Sequence, residues 1–172
     1  MPNINQYKKS LEWLEDLNQN KIVPGLERIQ KIMKLLGNPQ DKLRVISIGG
    51  TNAKGSTSYN LSKTLMQTGK IGCFTSPHLH SVRERIKIND ENISEKEFAK
   101  NLFNIRDLAE KNSIEITYFE ILTALAYQYF LSKRVDFAIM EIGLGGEWDL
   151  SLIHISEPTR QEAMSYAVFC LK

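Results

Sequence analysis

Leu43-Arg-Val-Ile-Ser-Ile-Gly-Gly-Thr-Asn-Ala-Lys-Gly-Ser-Thr-Ser58 (LRVISIGGTNAKGSTS) is the stretch on which the fold turns. Its first half is a short run of branched apolar residues, the pattern of a parallel strand buried on both faces. Its second half is a glycine-rich turn carrying a lysine and a small hydroxyl residue, and a helix is expected over about Gly55 to Gln67. Strand, glycine turn, lysine, hydroxyl and helix in that order form a phosphate cradle. Backbone N–H groups face inward, the helix start adds its positive dipole end, and the lysine reaches outer phosphates. The spacing departs from the general form G-x-x-x-x-G-K-[ST], because Ala53 precedes the lysine and Gly55 separates Lys54 from Ser56. An ordinary strand-to-helix turn with a surface lysine is the competing reading of these residues alone.

Outward from this loop, strands and helices alternate. Tyr7 to Leu17 and Leu26 to Leu36 carry apolar residues at helical spacing, with Pro24-Gly25 before the second run and Gly37 and Pro39 after it. Ile71 to Phe74 reads as a second strand, and RIKIN (Arg85 to Asn89) as an exposed strand or hairpin arm. Ser94-Glu95-Lys96-Glu97 has the S-x-x-E form of a capping box, opening a helix through Phe98, Leu102, Ile105 and Leu108. FEILTALAYQYFL (Phe119 to Leu131) is apolar on most sides and reads as a buried helix, and VDFAIMEI (Val135 to Ile142) as a third core strand. The expected fold is an α/β three-layer sandwich of the phosphate-loop type, with a mostly parallel sheet and helices on both faces.

Composition narrows the function classes. The 172 residues suffice for one domain that buries about 70% of its unfolded surface. Lysine plus arginine number 22 against 20 aspartate plus glutamate, a balance that gives nucleic acid or a membrane surface no electrostatic hold. Two cysteines, Cys73 and Cys170, are too few for a disulfide scaffold or a cysteine-ligated zinc site. No segment approaches the ~20 apolar residues of a spanning helix, and the first residues lack an apolar signal core, so the expected location is the cytoplasm.

GTNAKGS (Gly50 to Ser56) resembles the GTNGKGS loop of the folylpolyglutamate synthase and dihydrofolate synthase family, within the Mur ligase superfamily. PGLERI (24–29), TSPHLHSVRERIKIND (75–90), TYFEILTALAYQYF (117–130) and DFAIMEIGLGG (136–146) extend the resemblance in the same order. Ala53 stands where the family commonly has glycine, a replacement expected to be tolerated provided the position does not need a positive φ.

The resemblance implies an ATP-dependent ligase that adds L-glutamate to dihydropteroate or folate through an acyl phosphate. It implies that Thr51, Asn52, Ala53, Lys54, Gly55 and Ser56 bind ATP, and that Lys54 and Glu141 are catalytic. It implies magnesium as cofactor, held by Ser56, Ser76 and Glu141, oxygen donors suited to a hard cation. Thr117, Tyr118, Phe119, Glu120 and Asp149 fall on its pteroate-binding positions, and Asp16 to Asn18 align more loosely with that region.

Other readings compete at several positions. Ser76 before a proline is also an ordinary turn residue, and Tyr118 and Phe119 are also ordinary core aromatics. Glu141 ends an apolar strand, where an unpaired buried acid is costly. His78 and His80 form an H-x-H pair, more often solvated than metal-binding, and neither is assigned as a ligand. Arg83 and Arg85 suit an anionic substrate or a solvated charge cluster equally well. A nucleotide-binding module without catalysis is the alternative function.

The resemblance fades after Gly146. Asp149 matches the aspartate of the family's R-L-D-A-T-N motif, with Glu147 and Trp148 in place of arginine and leucine. Residues 150–172 instead resemble a translated sequencing adapter, so residues 1–149 read as the N-terminal part of an ATP-binding domain, inactive alone and monomeric when full length. The tail is expected to be a loop or a loosely packed helix and not a fourth parallel strand, with Pro158 disfavouring a central strand around it.

Overall fold

The computed structural model describes residues 4–17, 25–50, 52–142 and 168–171. In chain order the elements are α1 (Ile4–Asp16), α2 (Glu27–Leu35), a 3-10 turn (Pro39–Lys42), β1 (Val45–Gly49), α3 (Lys54–Leu65) and β2 (Ile71–Phe74). A second 3-10 turn (Val82–Arg85) follows, then β3 (Ile86–Ile88), β4 (Glu91–Asn92), α4 (Glu95–Lys111), α5 (Tyr118–Lys133), β5 (Phe137–Glu141) and β6 (Val168–Leu171). The sheet order is β4-β3-β2-β5-β1-β6. Its centre is the parallel trio β2-β5-β1, read from LRVISI, IGCF and VDFAIMEI, and both edges are antiparallel.

Side chains alternate across the central strands, so each strand serves two cores. Ile46, Ile48, Ile71, Cys73 and Ile139 face α3 and pack on Leu61, Leu65 and Met66. Val45, Phe74, Ala138 and Met140 face the opposite layer, where α1, α2, α4 and α5 assemble. α5 is buried around most of its circumference, because it lies between the sheet and the other helices. Gly72 allows that close approach: a Cβ there would stand 2.7 Å from the Phe130 ring.

The hairpin arm is a real one. β3 joins β4 through Asn89 and Asp90, both with positive φ, the backbone of a two-residue turn matched to strand twist. β3 is half-buried rather than exposed, since it pairs with β2 along its other side. The Ser94 hydroxyl accepts from the Glu97 amide, but Glu97 does not reach back to close the capping box; its carboxylate takes the Lys133 ammonium at 2.7 Å.

The tail departs from expectation at Val168–Leu171, which forms an edge strand antiparallel to β1, with Ser47 opposite Cys170 and Gly49 opposite Val168. It is neither loop nor helix, and it lies at the edge rather than inside the sheet. The outer edge of β1 presents unpaired N–H and C=O groups, and a short segment of branched and aromatic residues satisfies them whatever its history. Pro158 lies outside the described residues.

Candidate functional site

The phosphate loop leaves the end of β1 and enters α3 directly at Lys54. Asn52 and Ala53 are exposed there, and Gly55 and Ser56 are exposed in the first turn, so the helix start is open to an incoming anion. The Lys54 ammonium donates to the Gly50 carbonyl at 2.7 Å, which folds the lysine over the loop that precedes it. Ala53 adopts φ 62° and ψ 8°, the left-handed conformation. The proviso on its replacement of glycine therefore fails: the position does need a positive φ, and alanine holds it at a steric cost of about 1–2 kcal/mol. Thr51 lies outside the described residues.

Glu141 ends β5 at the same edge of the sheet and is 3% exposed. Its carboxylate accepts from the Ser76 amide at 3.3 Å, and a Cβ on Gly55 would come within 3.8 Å of it. Parallel pairing explains the convergence: β1, β2 and β5 all release their next residues on one edge, where an open α/β sheet gathers its ligands. Lys54, Gly55, Ser76 and Glu141 thus meet from three strand ends. A cleft of about 220 Å³ opens beside them, walled by Gly55, Tyr59, Thr75, Ser76, Lys87 and Glu141.

A magnesium ion fits this donor set on its chemistry. Among the described residues no group of three or more His, Cys, Asp or Glu could hold a metal. One buried carboxylate with nearby hydroxyls is a sparse set, and magnesium commonly takes one or two protein oxygens and completes its shell with phosphate and water. Cys73 sits beneath, and burial foremost, followed by the Glu141 charge, pushes its thiol up to about 12. It is no metal ligand or nucleophile near neutrality.

The Thr117 to Glu120 block opens α5, and two of its members are engaged in the helix itself. The Thr117 hydroxyl accepts from the Glu120 amide at 3.3 Å, and the Glu120 carboxylate accepts from the Thr117 amide at 2.7 Å. Glu120, 1% exposed, also pairs with Arg28 of α2. T-Y-F-E is a capping box that the residue pattern already spelled out. Tyr118 is buried beneath the Arg85 guanidinium, and Phe119 is half-buried with its ring 5.8 Å from Phe74. Asp16 is exposed at the end of α1, while Asn18 and Asp149 lie outside the described residues.

The loop between β2 and β3 is ordered by Glu84, whose carboxylate accepts from the amides of Leu79, His80 and Ser81. These three donors hold the Glu84 carboxyl below the usual carboxylate range. His78 is not solvated as expected: its Nδ1 accepts from Arg85 Nε at 2.8 Å. Burial first, and then the guanidinium, lowers its pKa. Arg83 and Arg85 are no solvated cluster either. Arg83 donates to the Ile93 carbonyl and faces Glu95, and Arg85 is 8% exposed. S-V-R-E (Ser81 to Glu84), another S-x-x-E, was the available signal for this ordered turn.

No family model matches the chain. The dihydrofolate synthetase of Saccharomyces cerevisiae is 41% identical over 126 residues, covering 73% of this chain and 30% of the yeast protein. The structure of Mycobacterium tuberculosis folylpolyglutamate synthase complexed with ADP superposes with a TM-score of 0.78 at 33% identity, over 87% of this chain and 35% of that one. An FPGS–AMPPCP–folate complex gives a TM-score of 0.79 at 30% identity, over 86% of this chain and 37% of its own. The chain spans about a third of the length of the proteins it matches.

Proposed function

The matched part of this chain belongs to the folylpolyglutamate synthase and dihydrofolate synthase family, and from that premise we propose that it is the nucleotide-binding part of an ATP-dependent ligase joining L-glutamate to dihydropteroate or a folate. The observation that carries this reading is the convergence of Lys54, Gly55, Ser76 and Glu141 on one sheet edge beside an open helix start.

In this reading residues 51–56 cradle the phosphates of ATP. The Lys54 ammonium offsets charge on the outer phosphate oxygens as the terminal phosphoryl group passes to the acceptor carboxylate. The glutamate amine then attacks the acyl carbon and displaces phosphate, leaving an amide, ADP and inorganic phosphate. Ser56, Ser76 and Glu141 would hold magnesium, which when bound supplies further charge neutralisation on the phosphates. The Glu141 carboxylate is oriented by the Ser76 amide, from which it accepts. Phe119, half-buried, offers the acceptor ring an aromatic face; Tyr118 backs that wall from beneath the Arg85 guanidinium, and Thr117 and Glu120 fix the turn that presents it. Asp149 belongs to the same acceptor set. The compartment proposed is the cytoplasm; no helix among the described residues is long and apolar enough to cross a membrane.

Calorimetry on this chain tests the reading. Magnesium-ATP should bind the wild type, and Lys54→Ala should abolish binding by removing the cation that meets the outer phosphates. Undiminished ATP affinity in the variant rejects the phosphate-loop assignment.

A further inference from the structure

Arg85 is the most buried arginine among the described residues, at 8% exposure. Arg28, Arg44, Arg83 and Arg106 each have a carboxylate within ion-pair distance. Arg85 has none. Its one hydrogen bond among the described residues runs from Nε to the uncharged acceptor Nδ1 of His78, at 2.8 Å. The two terminal nitrogens, the fork that grips a carboxylate in bidentate fashion, have no acceptor among the described residues. Neither terminal nitrogen is a buried atom without a partner, so the fork opens to solvent while the rest of the side chain is buried, and an arriving anion can complete it.

Position indicates which anion. The guanidinium lies 5.5 Å from the centre of the Tyr118 ring, at the start of α5. On its other side the backbone ties it to the metal-binding edge. The Thr75 amide donates to the Arg85 carbonyl at 3.0 Å, and the next amide, Ser76, donates to Glu141. Arg85 therefore stands between the aromatic wall and the phosphate-transfer edge. The Glu84-bound turn holds its backbone in place. The phosphates of ATP have their own cradle at Lys54 and the start of α3.

We infer that Arg85 is the positioning residue that grips the carboxylate of the acceptor, between the Tyr118 ring and the edge carrying Ser76 and Glu141. This rests on the ligase reading above and adds to it the residue that reads the acidic end of the acceptor. His78 keeps Nε of Arg85 occupied, so that the terminal fork, and not the side of the guanidinium, meets the substrate.

Calorimetry with this chain separates the inference from the reading beneath it, using dihydropteroate, its decarboxylated counterpart and a non-hydrolysable ATP analogue with magnesium. The wild type should prefer dihydropteroate to the decarboxylated compound by at least about tenfold, the scale of a hydrogen-bonded charge pair. Arg85→Gln should abolish that preference with ATP-analogue affinity unchanged, and Arg85→Lys should keep part of it, since one ammonium replaces a fork. A preference that survives in Arg85→Gln, or is absent in the wild type, overturns the inference and leaves the ligase reading standing. Parallel loss of the ATP analogue in a folded Arg85→Gln variant would reassign the fork to phosphate and likewise overturn it. If Arg85→Gln does not fold, the comparison of the two acceptors on the wild type and on Arg85→Lys still decides. Binding of the ATP analogue with neither acceptor bound would overturn the acceptor reading and this inference together.

Discussion

Arg28 donates from Nε to the Glu120 carboxylate at 3.1 Å, joining α2 to α5 across 92 positions of sequence. The carboxylate is 1% exposed and also closes the cap of α5, so this pair fixes where that helix begins and hence where Tyr118 and Phe119 stand.

Arg28→Ala should therefore destabilise the chain by about 2–3 kcal/mol, below the 3–5 kcal/mol of a fully buried pair because the Arg28 side chain is 21% exposed. Arg106→Ala, which removes a surface pair with Asp107, should cost less than about 0.5 kcal/mol. Urea unfolding of the two variants side by side checks the contrast, and equal losses would show that the Arg28 pair is not a structural tie.

Ala53→Gly should stabilise the chain by about 0.5–1 kcal/mol. Relief of left-handed strain, about 1–2 kcal/mol, is partly offset by the greater backbone freedom of glycine when unfolded. Ala53→Val should act in the opposite direction, because a branched side chain suits positive φ worse still. Thermal unfolding that ranked valine above glycine would mean that the loop does not keep this conformation in solution.

Cys73 should resist thiol reagents at pH 8 in a Cys170→Ser background. A thiol raised to about 12 is ionised roughly a thousandfold less than an ordinary one, and burial blocks access as well. The linked stability has a definite sign. Because the folded value is raised from 9.0, this contribution is complete below about pH 9 and is lost as pH climbs towards 12. Tyr129, also raised to about 12, chiefly by burial, adds to the same alkaline loss. Rapid labelling of the folded chain at pH 8 would contradict the burial of Cys73.

Deleting residues 168–172 should cost about 2 kcal/mol through lost ladder hydrogen bonds, more than a tail without packing would. The carbonyls of Arg44 and Ile48 face β5, so alternation turns the amides of Ser47 and Gly49 towards β6. Hydrogen exchange on the shortened chain should show faster exchange at Ser47 and Gly49 and unchanged protection at Ile46 and Ile48. Unchanged exchange at all four would show that β6 does not pair with β1 in solution.

The parallel trio and the helices between its strands were legible in the residues, because strand burial, helical spacing and the glycine turn are local patterns that alternate along the chain. The placement of Lys54 and Glu141 was legible for the same reason: each sits at the boundary of an element, one at the start of α3 after a glycine loop and the other an acid ending an apolar strand. The T-x-x-E cap of α5 and the S-x-x-E turn at Ser81 are present in the residues too. Tertiary structure alone decided the rest. It brought Arg28 to Glu120, set Arg85 against Tyr118 with an imidazole as its only described hydrogen-bond acceptor, and turned Ala53 into the left-handed region. It also drew Val168–Leu171 onto an open strand edge. Each of these depends on which distant groups meet and which polar groups remain to be satisfied, and no local spacing encodes that.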